Sequence, residues 1–154
     1  MKKDKLRTFK VYAIKNGTVI DHIPIGKALE LVDLLNLRQW DKTVTVGIGF
    51  TSKKHGKKDI IKIENKELTT EEANKVAIIA PTATLNIIRN FERVQKEKLE
   101  IPDEIIDIVK CPNPACITNY DNVKTKFFCE DKKKLHLRCA YCERYFTEND
   151  IKVI

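Results

Sequence analysis

Four of the five cysteines form two close pairs, Cys111-Pro-Asn-Pro-Ala-Cys116 and Cys139-Ala-Tyr-Cys142. The short spacing lets each pair turn back and aim two thiolates at one ion. Four thiolates complete a tetrahedral shell with no open position for water, which is the chemistry of a structural Zn2+ site and not of a Lewis acid. Disulfides are the competing use of such pairs, but they suit an oxidising compartment. A redox Cys-x-x-Cys would follow a βαβ strand, and this one does not. The fifth thiol, Cys129, sits in the strand-like run Lys-Phe-Phe-Cys-Glu and reads as a small buried hydrophobe.

A second group of residues could meet an anion. Asp21 and His22 stand side by side in Gly-Thr-Val-Ile-Asp-His-Ile-Pro. A histidine there is a base, an anion ligand kept protonated by its acidic neighbour, or a polar turn residue. In Lys58-Asp-Ile-Ile-Lys62, two-residue alternation puts Lys58, Ile60 and Lys62 on one face, with Ile61 and Ile63 on the other. Asn86 and Ile88 share a face of a later segment, and Lys96 follows it. Such a face suits a phosphorylated small molecule with an apolar ring. Solvated lysines on a half-exposed sheet are the plainer reading. No glycine-rich phosphate loop is present, and no nucleophile, base and orienter stand at telling spacings.

The elements that must position these residues alternate in type. Phe9–Ile14 alternates like a strand. Residues 25–37 place Ile25, Ala28, Leu29, Val32 and Leu35 on one helical stripe. Residues 43–50 alternate Val44, Val46, Ile48 and Phe50, and a Gly-containing loop leads to a strand at 59–63. Thr69-x-x-Glu72 marks a helix start, followed by Ala73, Val76, Ala77 and Ala80. Pro81 ends that helix, and residues 83–92 are strand-like. The order is βαββαβ, predicting an α+β, ferredoxin-like N-terminal domain over 1–101 with helices on one face of the sheet. Pro102 opens a small all-β, zinc-ribbon-like domain over 102–154. Strands are expected at 105–109, 123–129 and 134–138. So short a module needs a staple, and the cysteines supply it.

Charge narrows the partners. The net charge is +7. Residues 1–101 hold 20 Lys and Arg against 13 Asp and Glu, whereas 102–154 hold 9 of each. A nucleic-acid-binding zinc ribbon is the rival class, and a neutral ribbon bearing four thiolates argues against it. The ribbon's aromatics read as its minimal core, with any exposed ones suited to a protein partner. The apolar runs are too short to span a bilayer. The basic N-terminus lacks the apolar stretch of a signal peptide, so the sequence suggests a cytoplasmic chain bound to neither membrane nor nucleic acid.

The segments AIKNGTVIDHIP (13–24), GKKDIIKIEN (56–65), APTATLNIIRNFE (80–92), CPNPACI and LRCAYCE, in this order, resemble the regulatory chain family of aspartate carbamoyltransferase in pyrimidine synthesis. The resemblance implies a non-enzymatic allosteric subunit. Its N-terminal domain would bind nucleotide triphosphates, with CTP and UTP inhibiting and ATP activating. Its zinc domain would dock on the catalytic chain and bridge catalytic trimers, and two copies would pair through their N-terminal domains. It implies ribose and phosphate contacts for Asp21 and His22, ribose and base for Lys62, and phosphate for Lys96. Base-reading backbone falls around Val11, Tyr12 and Ile14. Lys58, Ile60, Asn86, Ile88 and Phe91 line the same pocket by position. Cys111, Cys116, Cys139 and Cys142 carry over as zinc ligands.

Overall fold

The computed structural model describes residues 13–53 and 56–154. Val11, Tyr12 and most of the strand expected at Phe9–Ile14 lie outside the described residues. Ala13 and Ile14 belong to no strand. Among the described residues the elements run β1 (Gly17–Pro24), α1 (Ala28–Leu34), β2 (Val44–Ser52), β3 (Gly56–Glu64), α2 (Thr70–Ile79), β4 (Thr84–Arg89) and β5 (Glu92–Lys98). They continue as β6 (Glu104–Ile106), β7 (Val109–Lys110), β8 (Lys126–Asp131), β9 (His136–Cys139), β10 (Tyr145–Phe146) and β11 (Lys152–Val153). The chain forms two compact units. One holds the described residues through Leu68 with Thr82–Lys98, and the other holds Thr69–Pro81 with Leu99–Ile154.

The first unit is built on an antiparallel sheet in the order β2-β3-β1-β4-β5. In chain order the elements from β1 to β4 run βαββαβ, with α2 falling in the second unit; β1 is central in the sheet and β5 adds an edge strand. Among the described residues the pattern opens with Gly17–Pro24. The expected strand at 83–92 is likewise two strands, broken at Asn90 and Phe91, both in left-handed conformation. One sheet face is apolar: Ile20 stands opposite Ile61 on one side and Leu85 on the other, all buried. Helix α1 packs across β2 and β3. Its buried residues are Ala28, Leu31 and Val32, with Leu35 following. Ile25 and Leu29, expected on that stripe, are 56% and 50% exposed. The helix begins only after Gly26, whose φ of 88° bends the chain, so Ile25 lies in the turn and the buried stripe is rotated. Ile48 is also exposed, because β2 loses register between Gly47 and Phe50 and its alternation reverses there.

Gly17 at the start of β1 is fixed by space as well as conformation. Its φ is 140°, and a Cβ would collide with the Ile63 carbonyl oxygen. Helix α2 starts in a capping box. Thr69 Oγ1 accepts the Glu72 N–H, and the Glu72 carboxylate accepts the Thr69 N–H, both at 3.1 Å. The strand expected at 105–109 is two short ones, β6 and β7, split at Asp107 with φ 58°. The second unit's sheets run β10-β9-β8-β6 and β11-β7. Phe127 is its fully buried aromatic, with Phe146 edge-on at 6.3 Å. Tyr120, Tyr141 and Tyr145 are exposed.

Candidate functional site

The four paired cysteines converge. Their sulfurs all lie within 4.8 Å of one another. Cys111 Sγ stands 3.8 Å from Cys142 Sγ, and Cys116 Sγ stands 3.8 Å from Cys139 Sγ. A disulfide needs about 2 Å. Metal–sulfur bonds of about 2.3 Å in a tetrahedron place neighbouring sulfurs about 3.8 Å apart, so the set fits a four-thiolate metal. The first turn is held rigid: Asn119 Nδ2 donates to the carbonyls of Cys111 and Asn113, and Asn113 Oδ1 accepts the Ala115 N–H. The second turn uses Glu143 in left-handed conformation, with the Cys139 N–H donating to the Arg144 carbonyl. Burial pushes the Cys111 and Cys139 thiols up. It pushes Cys142 up too, but the Arg144 N–H and the Asn113 side chain outweigh it and hold that thiol at about 7. Against the same burial, the Thr118 hydroxyl and N–H hold Cys116 down. Four thiolates this close repel one another, so the set ionises together only around a cation. Cys129 is half-buried rather than buried and stands outside the cluster.

The second group meets on the sheet face opposite the apolar one. Lys62 pairs with Val19, Val19 with Asn86, and Asn86 with Lys96. Paired residues share a face, so these four form a row crossing four strands, about 14 Å from Lys62 to Lys96 at the usual strand spacing. Beside the row lie Ile60 and Lys58 on β3, Asp21 on β1, and Ile88 on β4. A bulge shapes the Asp21–His22 pair. The β1–β3 register slips between Ile20 and Ile23, and His22 takes a φ of 56°. Asp21 Oδ1 accepts the His22 N–H at 2.7 Å and the Lys58 ammonium at 2.8 Å. Thr82 Oγ1 donates to the His22 carbonyl at 3.0 Å, and the imidazole Nδ1 lies 3.1 Å from Thr84 Oγ1. A left-handed non-glycine residue held by three contacts is the kind of strain found at ligand sites.

Electrostatics favour an anion here. Burial pushes Asp21 up, but Lys58 and the His22 N–H outweigh it and hold the carboxyl below its ordinary range. Burial lowers Lys62 below the ordinary lysine value, partly offset by Asp21. Asn86 is 9% exposed, and its Oδ1 has no hydrogen-bond partner among the described residues. A buried acceptor of this kind calls for a donor from outside. Lys96 lies on the exposed strand β5 instead of after it. Phe91 is 63% exposed in the β4–β5 turn, where its N–H donates to the Lys15 carbonyl next to the half-buried Ile14. Sequence reasoning omitted Val19, Thr84 and Lys98 from this face. Two-residue alternation from Asp21, Asn86 and Lys96 would have reached all three.

Sequence profiles of two domains match the chain. The allosteric domain of the aspartate carbamoyltransferase regulatory chain matches residues 9–100, and its metal binding domain matches residues 103–152. The chain belongs to the aspartate carbamoyltransferase regulatory chain family. The regulatory chain of Thermococcus sibiricus is 55% identical over 144 residues, covering 94% of this chain and 95% of that one. Those of Pyrococcus horikoshii and Porphyromonas gingivalis are 52% and 46% identical, the latter over the full length of both chains. The chain is thus a regulatory, non-catalytic one, and the cysteine cluster falls in its metal-binding domain. Among the described residues no helix is long and apolar enough to cross a membrane.

Proposed function

We propose that the face crossed by Lys62, Val19, Asn86 and Lys96 is the effector site of this regulatory chain, and that it binds nucleoside triphosphates. The observation that carries this reading is the row itself. Cations at both ends, an aliphatic centre and an unsatisfied buried amide acceptor match an extended anion with a polar, partly apolar body. Asp21, His22 and Lys58 flank it at the β1 bulge for ribose and phosphate. The base lies toward Ile14, Ile60, Ile88 and the Phe91 turn, and the segment around Val11 and Tyr12 offers its backbone. CTP and UTP inhibit and ATP activates, since bases of different size compete for one face and favour different states of the assembly.

Residues 1–101 carry this site and pair with a second copy. Residues 102–154 hold one Zn2+ through Cys111, Cys116, Cys139 and Cys142 and dock on the catalytic chain, bridging catalytic trimers. The sheet of the second unit supports a protein partner over nucleic acid. Its cations are matched by carboxylates, Lys132 with Asp103 at 2.9 Å, Arg138 with Glu130 at 3.1 Å and Lys126 with Glu104 at 3.7 Å. Co-expression with the catalytic chain tests the whole reading. The two should co-purify, and CTP and ATP should move the velocity of the complex in opposite directions. A complex whose velocity ignores both nucleotides contradicts it.

A further inference from the structure

Asp59 has a fully buried carboxylate, on the side of β3 away from Lys58 and Ile60. Among the described residues it has no ion-pair partner and accepts backbone N–H groups instead. Its Oδ2 accepts the N–H of Gly26 at 2.9 Å and that of Ala28 at 3.4 Å, and its Oδ1 accepts the N–H of Gly49 at 3.0 Å. Gly26 and Gly49 are left-handed, at φ 88° and 77°. One carboxylate therefore joins the turn after β1, the start of α1 and the irregular stretch of β2. It also marks where register resumes after the bulge, since Ile23 pairs with Asp59 and Pro24 with Lys58.

We infer that Asp59 is the positioning residue of the effector face: by tying Gly26, Ala28 and Gly49 it fixes the far side of the bulge that presents Asp21 and His22. The physical argument is one of constraint. His22 is strained, and strained backbone persists only where its surroundings over-determine it. Asp21 and Thr82 hold the His22 backbone itself, and Asp59 holds the chain four and six residues beyond it, at Gly26 and Ala28. Because Lys58 and Ile60 flank Asp59 on β3, a ligand drawing on those side chains and the carboxylate anchor share one rigid strand. Effector binding is then linked to the α1 start and to β2, whose Thr45 and Phe50 stand opposite Lys62 and Lys58 on that face.

The inference rests on the effector reading above, and the test separates the two. Amide hydrogen exchange of the wild-type chain with and without CTP is the first arm. The Gly26, Ala28 and Gly49 amides should exchange several-fold more slowly with CTP bound, because ligand and anchor stabilise the same arrangement. Asp59→Asn, which keeps the side-chain shape, is the second arm. It should weaken CTP about tenfold, the effect of losing charged hydrogen bonds that position a site, and should shift the His22 ring resonances. Lys62→Ala is the control on the reading. If Lys62→Ala weakens CTP while the three amides do not change and Asp59→Asn binds normally, the inference is wrong and the reading stands. If the wild type does not bind CTP, both fall.

Discussion

At the scale of single residues the sheet face works by charge and by one strained turn. Lys62 is the clearest case. Its ammonium is partly desolvated, so its pKa is lowered. The negative charge of a bound triphosphate on the same face favours the charged form, so effector affinity is fully present below the Lys62 pKa and is lost as pH rises through it. That loss should begin at lower pH than for an ordinary lysine, and Lys62→Arg should move it upward, as followed by titration calorimetry across pH. Asp21 has the opposite sign. Its folded pKa is depressed, so its contribution to stability is present above the ordinary carboxylate range, near about 4, and is lost as pH falls through the folded value. Thermal melts of wild type and Asp21→Asn should converge as the pH is lowered through that window. A constant gap between them would remove Asp21 from the ion pair. Gly17 is a residue-scale constraint on the fold. Gly17→Ala should lower stability by at least about 2 kcal/mol in chemical denaturation, since it adds a strained φ and a backbone collision.

At the scale of elements, the chain's periodicities predicted types better than phases. The Thr69-x-x-Glu72 signal named the start of α2, and the capping box formed with both reciprocal bonds; Thr69→Ala should cost about 1 kcal/mol. Alternation put Lys58, Ile60 and Lys62 on one face of β3 and Ile61 and Ile63 on the other, as found. It failed where the backbone leaves ideal geometry. Ile25, Leu29, Val32 and Leu35 fit a helical stripe as well as Ala28, Leu31, Val32 and Leu35 do, and only the left-handed Gly26 decides between them. Alternation alone places Ile48 with Val46; the slip falls at Gly47 and the left-handed Gly49, whose presence inside a strand is the one compositional sign of a bulge there. The bulge at Asp21–His22 leaves no mark in the pattern, since Asp21 is held by Lys58 and the left-handed histidine by Thr82 and Thr84, all distant in sequence. The site residues themselves were legible as types. Their arrangement into a row depended on strand order, which pairing and not pattern determines.

At the scale of the whole molecule, two units divide two jobs. In the second, four thiols whose sulfurs lie within 4.8 Å of one another need a cation to ionise together, and so small a module has little core without one. Chelation should unfold it and strip one metal per chain. Cys111→Ser or Cys139→Ser should do the same, whereas Cys129→Ser should keep the metal, as read by metal analysis and circular dichroism. If the first unit binds the proposed effector, binding and regulation share a coupling free energy that acts in both directions, so ligands of the catalytic chain should change nucleotide affinity. The central claim is that one sheet face, crossed by the row from Lys62 to Lys96, holds the effector. Calorimetric titration of CTP into wild type, Lys62→Ala and Lys96→Ala tests it most directly. The face predicts one site per chain, weakened about tenfold or more in each variant, as befits loss of a charged contact. Equal affinity in all three chains would contradict it.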